Sequence, residues 1–176
     1  DKNKTTSGSR FYIHARNVAS CILFLINKGV IPEEVKFSCQ TRAGNFVIRG
    51  KNGAPNTLNH KLVAAMKSAG FHNVSLGVES FSERLMKVPS INKAGMTAEN
   101  CKIVLEGFFE HGLYVTINLI LLIPESEPED LLNTLYTAME YIDQPVQIST
   151  SNVMRMFPGA PIYSSNDYTT IDVNMK

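Results

Sequence analysis

Several features that mark large classes of protein are missing from this sequence. The most apolar stretch, Ile117 to Ile123 with Asn118 inside it, falls far short of the ~20 residues that span a membrane. The 17 Lys and Arg residues are balanced by 16 Asp and Glu residues, so the chain lacks the positive excess of a nucleic-acid-binding domain. We therefore expect a cytoplasmic protein with no membrane segment and no nucleic-acid partner.

Cysteine is scarce and widely spaced. Cys21, Cys39 and Cys101 form neither a CxxC pair nor a Cys/His pattern that binds zinc, and an odd, scattered set does not suggest a disulfide framework. We interpret them as reduced thiols. The four histidines show no metal or catalytic spacing, and the sequence contains no GxGxxG or Walker motif for a phosphate group.

Apolar residues are abundant and follow a regular order. They make up 44% of the chain, and strand-like segments alternate with segments of helical periodicity. Ser80 with Glu83 predicts a capping box at the start of the helix near residue 81. Asn56 or Thr57 is expected to cap the earlier helix, which begins near residue 57. Helices are expected to begin near residues 10, 57, 81, 97 and 128, and strands to cover 35–41, 74–79, 114–123 and 146–154, with a short extra strand at 46–48. The 114–123 strand is so apolar that we expect both of its faces to be covered.

This alternation predicts an α/β fold with a parallel sheet, either open or part of a (β/α) barrel. In both architectures the active site forms at the carboxyl ends of the strands, which here carry Gln40 to Arg42 and Glu79-Ser80. The mixed charges favour a small zwitterionic ligand. Glu79 either accepts ligand hydroxyls or interacts with the dipole of a following helix. Arg42 either holds a carboxylate or pairs with Glu79, and Lys93 taken alone is expected to be a solvated surface lysine.

Five segments resemble a known family in their order and spacing. They are FSCQTRA at Phe37 to Ala43, the GVES of Gly77 to Ser80 with the helix and strand before it, Asn92-Lys93, LILLIPESEPED at Leu119 to Asp130, and FPGAPIY at Phe157 to Tyr163. Together they resemble radical S-adenosylmethionine (radical SAM) enzymes, and best the subgroup that often carries a cobalamin-binding domain.

The resemblance implies a partial (β/α)6 TIM-like barrel with a curved parallel sheet. Strands three to six of the family, about four β/α units, would lie in residues 1–163, and residues 164–176 would be a polar tail. The resemblance also implies that Glu79 contacts the ribose hydroxyls of SAM, Lys93 its carboxylate, and Gln40 to Arg42 the methionine moiety or the substrate. The full set of implied cofactor-binding residues is Gln40, Arg42, Glu79, Ser80, Lys93, and, flanking the adenine, Leu122, Val153 and Met154.

The implied chemistry is reductive cleavage of SAM at a [4Fe–4S] cluster, which starts radical chemistry on an unidentified small-molecule substrate. The family's CxxxCxxC motif is absent, and the three scattered cysteines cannot replace it because three thiolates must converge on one cluster. Leu122 also stands where the family has a glycine. We therefore expect part of a radical SAM enzyme that is inactive alone.

The cluster ligands and the first barrel strands would then come from upstream residues, and cobalamin, if used, from a separate domain. The strand near residue 35 would expose an apolar edge where those first strands pair. The alternative is a degenerate, non-catalytic α/β barrel that binds a small molecule or a protein partner.

Overall fold

The computed structural model describes residues 7–91, 93 and 95–151, and the side chains among them from residue 17 onward. Strands and helices alternate through these residues. The helices are α1 (Ser7–Asn27), α2 (His60–Ser68), α3 (Ala98–Glu110) and α4 (Pro128–Met139). The strands are β1 (Phe37–Arg42), β2 (Val47–Ile48), β3 (Thr57–Leu58), β4 (Phe71–Glu79), β5 (Tyr114–Ile120) and β6 (Val146–Ser151).

The four long strands form one parallel sheet in the order β1-β4-β5-β6. A helix joins each strand to the next, as parallel pairing requires. The predicted parallel α/β fold is therefore confirmed. The extra strand near residue 47 is also confirmed, but β2 pairs antiparallel with β3 in a separate small sheet.

The main sheet has one apolar and one polar face. Val74, Leu76 and Val78 of β4 are buried in the core, whereas the residues between them are only half-buried. β5 alternates in the same way, with one buried face and one half-buried face, so neither face of this strand is fully exposed. Its second face carries Asn118, whose Nδ2 donates a 2.7 Å hydrogen bond to Ser75 Oγ on β4.

Local capping signals fix the starts of α3 and α4. The Thr97 hydroxyl accepts the Asn100 N–H at 3.0 Å and begins α3, as the sequence predicts. Pro128 lies in the first turn of α4, where Glu127 and Asp130 form a capping box. These caps matter for function because both helices begin on the side of the sheet where the carboxyl ends of the strands lie.

The predicted helix at residues 81–88 is wrong. Only a single 3-10 turn, Leu85–Lys87, forms there. Ser80 does not cap a helix, because its hydroxyl is engaged with α4. Glu83, the expected partner in the capping box, accepts the Ala98 N–H at 2.7 Å and so helps to cap α3 instead.

The predicted cap of α2 is also wrong. Asn59 caps that helix, its side chain accepting the Leu62 N–H at 3.2 Å. Thr57 belongs to β3, and Asn56 donates to Asn100 Oδ1 at 2.9 Å. Asn56, expected to start a helix, therefore ties the β2–β3 hairpin to the start of α3.

The core lies between the sheet and its helices, and the β2–β3 hairpin packs into it. Phe46, next to β2, meets Phe108 of α3 edge-to-face with ring centroids 4.8 Å apart. Leu58 of β3 lies so close to Gly107 that a Cβ there would come within 2.1 Å of it. The segment from Phe46 to Leu58 is thus packed into the domain at both of its ends.

β1 forms one edge of the described sheet, since it pairs with β4 alone. Ser38, Gln40 and Arg42 are its exposed residues, so the edge is polar and the expected apolar edge is wrong. None of the described helices is long and apolar enough to cross a membrane. The predictions for residues 152–176, including Val153, Met154 and the polar tail, lie outside the described residues.

Candidate functional site

A pocket of about 400 Å³ opens at the carboxyl ends of β1, β4 and β5. Four of the residues that the resemblance implies, Gln40, Arg42, Glu79 and Lys93, surround this one cavity. The complete lining consists of Gln40, Thr41, Arg42, Gly77, Glu79, Ser90, Ile91, Lys93 and Ile120. The cavity thus lies where a parallel α/β sheet forms its active site.

Glu79 and Lys93 form an ion pair in the pocket wall. Lys93 Nζ lies 3.2 Å from Glu79 Oε1 and donates a 2.6 Å hydrogen bond to the Gly77 carbonyl. The Lys93 side chain is only 8% exposed and that of Glu79 is 23% exposed. Among the described residues, these two contacts use two of the three donors of the ammonium, and Glu79 makes the ion pair through only one of its two carboxylate oxygens. The pair can therefore bind a ligand that brings both an acceptor and a donor.

The end of β4 is shaped to bring the Glu79 carboxylate over the strand. Glu79 adopts a left-handed conformation (φ 70°), and the pairing register with β5 shifts between Gly77 and Glu79. Such irregularities at strand ends re-aim side chains and are common next to active sites. A Cβ on Gly77 would lie 2.7 Å from Glu79 Oε1 and 3.4 Å from Lys93 Nζ, so a side chain there would displace the Glu79 carboxylate from its present position in the ion pair.

Three of the possibilities raised by the sequence are now excluded. No helix begins directly after Glu79, so its carboxylate is not a helix-start residue. Lys93 is buried, which corrects the expectation of a solvated surface lysine. Among the described side chains, Glu79 pairs with Lys93 rather than with Arg42, which is exposed at the edge strand β1. Arg42 therefore contributes a second, separate positive charge to the pocket.

Other predicted residues lie away from the lining. Ser80 is buried, and its hydroxyl lies 2.8 Å from Thr134 Oγ1 on α4. Leu122 is 47% exposed and follows the end of β5, while Ile120, the last residue of that strand, lines the pocket. Ser90 and Ile91 also line the pocket, although they were not predicted as site residues. In the sequence, only their position next to the Asn92-Lys93 pair indicates a place in the site.

A charged cluster next to the pocket fixes the loop after β4. Asp130 accepts hydrogen bonds from Ser82 Oγ and from Arg84. Burial raises the pKa of the Asp130 carboxyl, but the hydrogen bonds from Arg84 and Ser82 outweigh burial and hold the pKa below its usual value. Ser90 Oγ also donates to Glu125 Oε2 at 3.0 Å, so the segment before α4 reaches the pocket wall.

The cysteines do not form a metal centre. Cys21 is exposed on α1, Cys39 is half-buried on β1 and Cys101 is buried on α3. Burial raises the pKa of the Cys101 thiol to about 12, whereas a cluster ligand must be a thiolate. Over the described part of the chain, no three His, Cys, Asp or Glu residues are grouped to hold a metal ion. The three cysteines therefore do not fit a [4Fe–4S] cluster.

No protein-family model and no curated protein sequence matches this chain, but solved structures do. The cobalamin-dependent S-adenosylmethionine radical enzyme OxsB, with aqua-cobalamin and S-adenosylmethionine bound, matches 72% of the chain at 22% identity with a TM-score of 0.54. The radical SAM methyltransferase TsrM from Kitasatospora setae, with cobalamin and a [4Fe–4S] cluster bound, matches 83% at 16% identity with a TM-score of 0.59. Coproporphyrinogen III oxidase (HemN) from Escherichia coli, a radical SAM enzyme, matches 77% at 16% identity with a TM-score of 0.53.

The match concerns one part of each of these proteins. The chain spans 16% of OxsB, 26% of TsrM and 28% of HemN, less than a third of each. At these identities the shared feature is the fold, which agrees with the parallel strand order β1-β4-β5-β6 and the helical crossovers between the strands. The described part of this chain has the fold of a partial radical SAM barrel.

Proposed function

We propose that the pocket binds S-adenosylmethionine and that the chain is the SAM-binding part of a cytoplasmic radical SAM enzyme. The observation that carries the proposal is the Glu79–Lys93 ion pair at the carboxyl end of β4, in a fold shared with radical SAM enzymes. The complete enzyme would act on a small molecule, and its choice of substrate is not a property of the fold.

The chemistry of SAM suits the groups that line the pocket. SAM offers a carboxylate, an ammonium and a sulfonium at one end and a ribose diol in its middle. In this proposal the ammonium of Lys93 binds the carboxylate, and the carboxylate of Glu79 accepts hydrogen bonds from the ribose hydroxyls. Both are charge-assisted hydrogen bonds, roughly twice as strong as neutral ones. In this proposal Gln40 and Arg42, which line the pocket from β1, contact the methionine moiety or the substrate.

Reductive cleavage of SAM requires a [4Fe–4S] cluster, and the cysteines of this chain do not fit one. The proposal therefore assigns the cluster ligands to residues outside this sequence, and cobalamin, if the enzyme uses it, to a separate domain. Strands outside this sequence would pair with the polar edge of β1. The role of the described residues is to bind and orient SAM, and no redox step is assigned to them.

The second candidate is a non-catalytic barrel that binds a small zwitterionic molecule. The dispersed cysteines and the leucine at position 122 favour it, because neither suits the radical chemistry that the resemblance implies. The two candidates share the same pocket and differ in what the complete protein does with the bound molecule.

Isothermal titration calorimetry of the 176-residue chain with SAM tests the proposal. We expect Glu79→Gln and Lys93→Met each to weaken SAM binding about tenfold or more, because each removes a charged hydrogen-bonding partner. Lys102→Met and Glu140→Gln are matched controls: they break an exposed ion pair of 2.9 Å outside the pocket and should leave the affinity within about twofold.

The outcomes separate the two candidates. Absence of SAM binding by the unmodified chain, or equal affinities for the pocket and control variants, contradicts SAM binding at this site. SAM binding together with 5′-deoxyadenosine formation by the anaerobically reconstituted complete protein supports the enzyme. SAM binding without any such product supports the non-catalytic barrel.

A further inference from the structure

A buried cluster of hydroxyl groups follows Glu79 directly in the chain. We call Ser80, Ser82 and Thr134 the hydroxyl cluster; the first two lie just after β4, and the third lies on α4. All three side chains are buried, and Thr134 is only 2% exposed. Buried hydroxyls are retained only where they are hydrogen-bonded, so the bonds they make show what they hold.

The hydroxyl cluster ties the segment after Glu79 to α4. Thr134 Oγ1 accepts the Phe81 N–H at 3.1 Å and lies 2.8 Å from Ser80 Oγ. Ser80 Oγ in turn accepts the Ser82 N–H at 3.0 Å. Ser82 Oγ donates to the carboxylate of Asp130, one helical turn before Thr134. The peptides that follow Glu79 therefore cannot rotate without breaking buried hydrogen bonds.

Glu79 needs such a restraint. Its positive φ of 70° is unusual for a residue other than glycine and persists only where the surroundings enforce it. Regular pairing with β5 is interrupted between Gly77 and Glu79, so the sheet alone does not fix this conformation. The ion pair with Lys93 holds the side chain of Glu79, and the hydroxyl cluster holds the backbone after it.

We propose that Thr134 is a positioning residue for the pocket. Its hydroxyl holds the Phe81 N–H and the Ser80 hydroxyl and thereby keeps Glu79 in the left-handed conformation that brings its carboxylate to Lys93. The consequence for ligand affinity rests on the proposed function, whereas the effect on Glu79 itself does not. Ser80, which the resemblance assigns to the cofactor, acts in this account through the backbone of Glu79 and not by contact with the ligand.

The test compares Thr134→Val, which keeps the shape and removes the hydroxyl, with Thr134→Ser, which keeps the hydroxyl. Thr137→Val makes the same change one turn along α4 and serves as the control. Amide hydrogen exchange and the Cα and Cβ chemical shifts of Glu79, measured by NMR on the ligand-free chain, report the restraint. Calorimetry with SAM reports the pocket, and urea unfolding of each variant reports global stability.

We expect Thr134→Val to speed exchange at Phe81 about tenfold beyond any global change, to shift the Glu79 signals and to weaken SAM binding about tenfold. Thr134→Ser and Thr137→Val should resemble the unmodified chain. If Thr134→Val does not fold, Ser80→Ala, which removes the partner hydroxyl, should give the same pattern. Unchanged exchange and Glu79 shifts would overturn the inference, as would shifted Glu79 signals with full SAM affinity. Failure of the unmodified chain to bind SAM would refute the proposed function, while the ligand-free spectra would still decide the role of Thr134.

Discussion

Replacing Gly77 by alanine should damage the pocket while sparing the fold. The new Cβ would lie 2.7 Å from Glu79 Oε1, so that oxygen must retreat by roughly 0.7 Å to reach an ordinary contact. The displaced atom is the end of a flexible side chain, and the backbone of Gly77 has no positive φ that alanine would strain. We therefore expect the free energy of unfolding to fall by only about 1 kcal/mol or less.

The effect on ligand binding should be larger. The displacement changes the geometry between Oε1 and Lys93 Nζ, which lie 3.2 Å apart in the unmodified chain, and it moves the carboxylate that the ribose hydroxyls would use. Loss of alignment in one hydrogen bond to a charged group corresponds to a drop in SAM affinity of about tenfold. Calorimetry measures the affinity, and urea unfolding measures the stability.

Gly44→Ala is the matched control for this substitution. Its Cβ would lie 2.8 Å from Met96 Sδ, so it also displaces the end of a flexible side chain without touching Glu79. We expect this control to bind SAM as the unmodified chain does. If Gly77→Ala keeps full affinity, or if it loses affinity only in proportion to a large loss of stability, the steric reasoning about the Glu79–Lys93 pair is wrong.

Three further predictions concern stability and reactivity. Asp130→Asn should lower the free energy of unfolding at pH 7 by about 2 kcal/mol. Folding lowers the pKa of Asp130, so its contribution to stability is present above the ordinary pKa and is lost as the pH falls. The difference in free energy of unfolding between the variant and the unmodified chain should therefore shrink below about pH 4. A difference that stays constant with pH would contradict this. Cys21 should react with iodoacetamide in the native chain, whereas Cys101, with its pKa raised to about 12, should react only after unfolding; equal native rates would refute the assignment. Phe108→Ala should cost about 3–5 kcal/mol in urea unfolding because the ring is fully buried against Phe46, while Phe24→Ala, at an exposed position, should cost less than about 1 kcal/mol.

Much of the fold follows from local pattern. The residues that became β4, β5 and β6 carry an alternating or apolar pattern, and periodic helices separate them, so a parallel sheet could be predicted without a template. The failure at residues 81–88 has a physical cause. Ser80 and Glu83 have the spacing of a capping box, but tertiary partners compete for both side chains: Thr134 engages Ser80, and the Ala98 N–H engages Glu83. Sequence spacing cannot reveal that competition.

The pocket was only partly predictable. Glu79 could be singled out from the residues alone, because a carboxylate at the end of an apolar strand needs a partner. Its partner Lys93 lies in a loop between β4 and α3, and no periodicity indicates that this lysine is buried. Ile120 lines the pocket and Leu122 does not, and β5 ends at Ile120, earlier than the apolar run suggests. Strand ends are set by pairing with neighbouring strands, here Ile120 with Ser151 of β6, and local sequence pattern does not show that pairing.

A crystal structure of the 176-residue chain grown with SAM would test the central claim most directly. The account predicts SAM in the pocket, its ribose hydroxyls within hydrogen-bonding distance of the Glu79 carboxylate and its own carboxylate at Lys93 Nζ. SAM bound elsewhere on the chain, or a pocket that stays empty at saturating SAM with the Glu79–Lys93 pair intact, would contradict it.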